Sequence, residues 1–257
     1  MYRSKSFRAR QLDDVFADIE EAARYYPDTH RVFLADGDAL VLPTAQLHRI
    51  LNALAVHFPN LARVSCYALP ANLLRKSTEE LASLKSAKLS LIYYGIESGS
   101  ADILRRISKG ASPSMMIEGL EKAKEAGLKV STTVILGLAG RNRWQQHIDE
   151  TSELINRAAP TYLSTLQLGL DDTVRELFLK RFGEHFEAQD DDGMLAEQES
   201  LVGALDPPSP IIFRSNHASN SLPLAGTLPR DRDKLLAELA AARAGAVPLR
   251  PAHLRGY

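Results

Sequence analysis

The 257-residue chain has one cysteine, Cys66. A single thiol excludes an intrachain disulfide and a cysteine-built metal site within these residues. A dominant charge is also lacking: 31 Lys and Arg face 32 Asp and Glu, for a formal net charge of −1. No global field therefore draws in nucleic acid or an anionic membrane, and any polyanion site must be local. No stretch approaches the roughly 20 apolar residues of a membrane span. The N-terminus, Met1 to Arg10, is basic but has no apolar segment of the kind a secretory signal needs. Together these absences predict a cytoplasmic protein with no membrane partner and no indicated nucleic-acid partner. Neither a Walker pattern nor a Gly-x-Gly-x-x-Gly fingerprint is present, which argues against a phosphate cradle and for a neutral or zwitterionic small ligand.

What remains is ordinary globular material, 45% apolar and 25% charged, enough for a sizeable core. Its apolar residues alternate between two periods. Helical stripes over 12–26, 44–58, 113–126 and 144–158 are interleaved with short β-rich runs at 31–36, 63–67, 89–94, 130–136, 162–168 and 211–214. Ser77-Thr78-Glu79-Glu80 fits a capping box, and Gly127 a helix stop. The run Leu89 to Tyr94 is expected to be buried on both faces. Strands strung on helices force parallel pairing with right-handed crossovers, in a doubly wound sheet or a barrel.

In parallel α/β folds the loops leaving strand carboxyl ends converge, so polar residues there are the first candidates for a site. They are Asp36-Gly37-Asp38, Tyr67, Gly95 to Ser100, Gly137 to Arg141, Gln167 and Asn216-His217. Gly95, Gly99, Gly137 and Gly140 suggest close approach of a ligand to main chain.

Three of these segments carry a resemblance. Tyr94-Gly95-Ile96-Glu97-Ser98-Gly99-Ser100, with Leu104 and Ile107-Ser108-Lys109-Gly110, resembles the fourth-strand segment of the radical SAM superfamily, in the branch of methylthiotransferases and oxygen-independent coproporphyrinogen oxidases. Val134 to Gly140 is similar to the fifth-strand segment, whose main chain brackets adenine. Leu34 to Asp38 sits where the family keeps the loop facing the amino group of the methionine moiety. The resemblance implies an α/β, partial (β/α)₆ TIM-like barrel over residues 1–170, with residues 171–257 as a C-terminal extension that completes the barrel and its substrate side. It implies S-adenosylmethionine as cofactor, with Asp36, Gly37, Asp38, Glu97, Ser98, Lys109, Ile135 and Gly137 around it and Gln167, Asn216 and His217 toward the substrate. Glu97 would meet the ribose or methionine end and Lys109 the methionine carboxylate. A [4Fe–4S] cluster and an external reducing electron donor are implied only if the family's cysteine loop exists, and that loop and the first strand are expected upstream of Met1. No catalytic residue is assigned.

Plainer readings stand beside these. Glu97 can cap the following helix, Asp36 and Asp38 can be turn residues around Gly37, and Asp190-Asp191-Asp192 reads as a solvated turn. Cys66 reads as a small core residue. Against the radical enzyme stands a cluster-free, non-catalytic barrel serving as a ligand-binding or scaffold module. An aldolase-type barrel would need a strand lysine, and no predicted strand has one.

Overall fold

The computed structural model describes residues 8–183 and 185–256. Residues 1–7 of the basic N-terminal stretch lie outside the described residues. In chain order the elements are α1 (Leu12–Tyr25), β1 (Arg31–Asp38), a 3₁₀ turn (Ala39–Val41), α2 (Thr44–His57), β2 (Arg63–Tyr67), α3 (Pro70–Arg75), α4 (Thr78–Ser86), β3 (Leu89–Glu97), α5 (Ala101–Arg106) and α6 (Pro113–Glu125). They continue with β4 (Lys129–Leu136), α7 (Gly140–Ala158), β5 (Tyr162–Gln167), α8 (Asp172–Phe182), α9 (Asp191–Ala204), β6 (Ile211–Arg214), β7 (Ala225–Leu228) and α10 (Arg232–Arg243). All six runs read as strands form strands.

The chain divides into two compact units, one of residues up to 93 with 122–129, the other of 94–121 with 130 onward. In the first, β1 pairs in parallel with β2, and β2 with β3. Leu47, Leu51 and Leu54 of α2, Val64 and Cys66 of β2, and Leu81 and Leu84 of α4 are all buried, and α2 packs against α4. Each such fully buried Leu or Val contributes about 1.5–3 kcal/mol. Ser77 and Glu80 form the capping box foreseen at the start of α4. Between α1, β1 and α2 lies a cavity of about 590 Å³ lined by Val15, Ile19, Val32, Leu34, Ile50 and Leu54.

In the second unit β4 pairs in parallel with β5, β5 with β6, and β6 antiparallel with β7. Helix α9 packs against α7 and α10. Leu154 and Ile155 of α7, Leu195 and Leu201 of α9, and Leu235 and Leu239 of α10 are buried.

Two expectations need correction. Strand β3 is not buried on both faces: its burial alternates, and Tyr93, Gly95 and Glu97 are partly open. Tyr94 is the core tyrosine, its hydroxyl 3.3 Å from the Met116 carbonyl. Tyr93 turns to the other face, edge-on to Phe33 and Tyr67. The triple aspartate is not a turn but the start of α9, with Asp190 and Asp192 still exposed. Asp190 caps α9 through the Gly193 N–H, and Asp190, Asp191 and Asp192 pair with Arg141, Arg255 and Arg243 respectively. Charge at a helix N-terminus is satisfied by both the helix amides and distant guanidinium groups.

Candidate functional site

In the second unit the carboxyl end of β3 carries the sharpest arrangement. Glu97 sits at φ 63, in the left-handed region that bulky side chains rarely enter. That turn aims its carboxylate back along the strand, where Oε1 accepts a hydrogen bond from Lys109 Nζ at 2.9 Å. Both side chains are largely buried, at 24% and 16% exposure, so the pair is screened less than a surface ion pair. A Cβ at residue 95 would collide with Glu97 Oε1 and Lys109 Nζ. Glycine at 95 is therefore what lets the pair lie over the strand. Glu97 does not cap α5; its charge is directed to Lys109.

Behind this pair the loop is clamped from α7. Ser98 and His147 are fully buried, with Ser98 Oγ 2.7 Å from His147 Nδ1 and His147 Nε2 3.1 Å from the Ile135 carbonyl. A carbonyl can only accept, so Nε2 carries the proton and Nδ1 accepts from the Ser98 hydroxyl. Burial pushes His147 down to about 4, which keeps it neutral. Ser98 Oγ also accepts from the Ser100 N–H at 3.0 Å, and Gly99 N donates to Thr151 Oγ1 at 2.7 Å. The Ser98 hydroxyl is thus committed inward to α7.

The β4 end is held in a similar way. Gly137 adopts φ 78, and its N–H donates to Glu197 Oε2 of α9 at 2.7 Å. Gly140 N returns to the Gly137 carbonyl at 3.1 Å. Glu197 is fully buried, and burial pushes its carboxyl up to about 7. Ile135 is left half-buried on the opposite face of the strand from the buried Val134 and Leu136. The glycines read as ligand clearances thus have protein neighbours: Glu97 and Lys109 at Gly95, α7 main chain at Gly99, Met194 at Gly137, Phe186 and Glu187 at Gly140.

Gln167 is brought together with a residue that the sequence did not single out. Its side chain bonds Ser221 at both ends, Nε2 to Oγ at 3.0 Å and Oε1 from N at 2.9 Å, while its own N–H donates to Asn220 Oδ1 at 2.8 Å. Asn220, 1% exposed, also bonds the Thr165 carbonyl and Ser215. His217 is exposed at the edge of that network, its carbonyl accepting from Asn220 N at 3.1 Å and its Nδ1 2.8 Å from Ser219 Oγ. Asn216 is exposed as well.

In the first unit Asp38 is an anchor. Its Oδ1 accepts from Leu40 N at 2.8 Å, and its Oδ2 accepts from Leu69 N at 2.7 Å and Asn72 Nδ2 at 2.9 Å. Asp36, at φ 63, is exposed, with Gly37 beside it at φ 134. Cys66 is buried, and desolvation pushes its thiol up to about 12, an environment that disfavours the thiolate. Among the described residues no group of three His, Cys, Asp or Glu is placed to hold a metal ion. No helix of the described residues is long and apolar enough to cross a membrane.

The pairings of His147 with Ser98, Thr151 with Gly99, Glu197 with Gly137 and Asn220 with Gln167 escaped the sequence because each joins positions about fifty or more apart. A signal existed for three of them. His147 and Thr151 fall on the same buried stripe as Leu154 and Ile155, and Glu197 on that of Leu201, where a polar residue requires a partner.

Comparison with known proteins bears directly on this geometry. Residues 2–155 match the family model described as the Radical SAM superfamily. The heme chaperone HemW of Bacillus subtilis is 25% identical over 116 residues, covering 45% of this chain and 31% of that protein. A putative methylthiotransferase of Methanocaldococcus jannaschii is 34% identical over 58 residues, covering 23% of this chain and 13% of that protein. The chain thus spans under a third of the length of these curated relatives. The coproporphyrinogen III oxidase of Escherichia coli, described as a radical SAM enzyme, superposes with a TM-score of 0.61 at 15% identity, covering 75% of this chain and 44% of that one. That likeness extends to the fold: an α/β architecture of mostly parallel strands, of partial-barrel type.

Proposed function

We propose that this chain, which belongs to the radical SAM superfamily, is a body that binds S-adenosylmethionine. The carrying observation is the Glu97 and Lys109 pair, 2.9 Å apart over Gly95 at the carboxyl end of β3. Lys109 spends one of its three donors on Glu97 and keeps two for the methionine carboxylate, and Glu97 keeps a second oxygen for a ribose hydroxyl or the ammonium group. Ile135 supplies an apolar face for adenine, with Gly137 shaping the turn beside it. Asp38 holds its own loop rather than a ligand. In this reading residues 1–170 carry the cofactor side and 171–257 the substrate side, with Asn216 and His217 exposed for contact and Gln167 bracing them.

Bound S-adenosylmethionine would supply radical chemistry: taking up one electron would break its C5′–S bond, releasing methionine and a 5′-deoxyadenosyl radical able to take a hydrogen atom from a substrate. In the family a [4Fe–4S] cluster delivers that electron from an external donor. The residues present do not fit the cluster: it needs thiolate ligands, and the one thiol is buried and protonated. That donor set favours a second reading, a cluster-free module that binds the cofactor or a relative of it without radical chemistry.

Calorimetric titration with S-adenosylhomocysteine tests the first statement. Wild type is expected to bind, with Glu97→Ala and Lys109→Ala each weakened about tenfold or more at unchanged thermal midpoint. Absence of binding would remove the proposal. Anaerobic incubation with iron and sulfide separates the readings. A brown, cluster-bearing protein would support the radical enzyme, and a colourless one that still binds the ligand the module.

A further inference from the structure

We infer that Glu197 is a positioning residue for the adenine subsite, a proposal that rests on the cofactor reading above. A carboxylate buried without a cation costs several kcal/mol, and an apolar side chain of the same size is often no worse. Glu197 is fully buried in the middle of α9, and both of its recorded donors are neutral amides: Gly137 N to Oε2 at 2.7 Å and Gln189 Nε2 to Oε1 at 3.0 Å. What that placement secures is the turn leaving β4.

The same stretch of chain grips the turn at its other end. Arg141 N donates to the Glu187 carbonyl at 2.9 Å and Arg141 Nε to the Ala188 carbonyl at 3.1 Å. The Met194 methyl and the Phe186 ring stand where side chains at 137 and 140 would go. Residues 186–197 form a collar around residues 137–141.

The collar leaves Gly137 no free donor, since its N–H goes to Glu197, and its carbonyl already accepts from Gly140 N. The Ile135 carbonyl is likewise bonded by His147. Adenine at this place is therefore met by shape, through the Ile135 side chain and the fixed backbone of the turn. Glu197 acts through Gly137 and never touches the ligand. A segment expected to serve the substrate thereby sets the fit of the cofactor.

The test is calorimetry with S-adenosylhomocysteine and 5′-methylthioadenosine, together with amide exchange at 137–140, on wild type, Glu197→Ala and Glu197→Gln. Glu197→Ala should weaken both ligands about tenfold and speed exchange in the turn. Glu197→Gln, which keeps an oxygen for the Gly137 N–H, should restore affinity to within about threefold. Unchanged affinity in Glu197→Ala, or a loss that glutamine does not restore, would overturn the inference and leave the cofactor reading intact. Wild type that binds neither ligand would overturn both. If the alanine variant does not fold, Gln189→Ala, which removes the other donor, takes its place with the same expected direction.

Discussion

The hydroxyl of Ser98 and Nδ1 of His147 lie 2.7 Å apart where neither side chain meets solvent, joining two positions 49 residues apart. Through its other nitrogen the same ring holds the Ile135 carbonyl, so one imidazole ties the β3 loop to the end of β4.

Replacing His147 by Leu leaves a buried hydroxyl and a buried carbonyl without their partner and should cost about 2–4 kcal/mol in denaturant unfolding. Because burial lowers the imidazole from 6.5 to about 4, the folded protein holds it neutral. Its contribution is full above pH 6.5 and is lost as pH falls through about 4, amounting to about 3 kcal/mol. His147→Leu should therefore show a shallower acid limb than wild type. Equal acid slopes would disprove the assignment.

Glu197 works in the opposite direction. Its carboxyl is raised from 4.5 to about 7, so the folded state favours the protonated form, and stability drains away as pH climbs from 4.5 through 7, by about 3 kcal/mol. Unfolding free energies of Glu197→Gln should lack that decline. Between pH 4.5 and 6.5 the two groups offset each other in wild type, which only the paired variants will separate.

The two glycines of the β3 end should fail differently. Gly99→Ala drives a methyl group into the main chain of Glu150 and Thr151 on α7 and should lose about 1–3 kcal/mol. Gly95→Ala meets the movable ends of Glu97 and Lys109. It should reduce S-adenosylhomocysteine affinity while shifting the thermal midpoint little. A reversed pattern would show that the pair over Gly95 has no bearing on binding.

Asp38→Asn puts an amide group against the N–H donors of Leu69 and Asn72 and should cost about 1–3 kcal/mol. Asp36→Asn tolerates the same left-handed backbone, and among the described residues Asp36 has no recorded hydrogen bond or ion pair. Its stability should stay within about 0.5 kcal/mol of wild type, with any effect confined to ligand affinity. Comparable losses in the two variants would refute this division of labour.

The strand and helix order was legible because the apolar period switches between two and about 3.6 in long, clean runs. Strand β7 was not: Ala225-Gly226-Thr227-Leu228 has little β-rich character, and its place comes from pairing with β6. Helix α3 is only six residues, too short to declare a stripe. At the site, Glu97 and Lys109 were legible as motif residues, but their mutual bond was not. Asp38 kept two readings in the sequence, because an Asp-Gly-Asp string reads alike whether its carboxylates face a ligand or, as its hydrogen bonds do here, nearby amides.

Glu97 and Lys109 are twelve positions apart, with α5 and a left-handed Ser108 between them. The intervening chain therefore works as a ruler whose length is fixed at both ends. One residue added or removed inside α5 turns the downstream chain by about 100° and moves it about 1.5 Å, which swings the ammonium group away from the carboxylate. Substitutions on the outer face of that helix should be tolerated freely, whereas changes in its length should not.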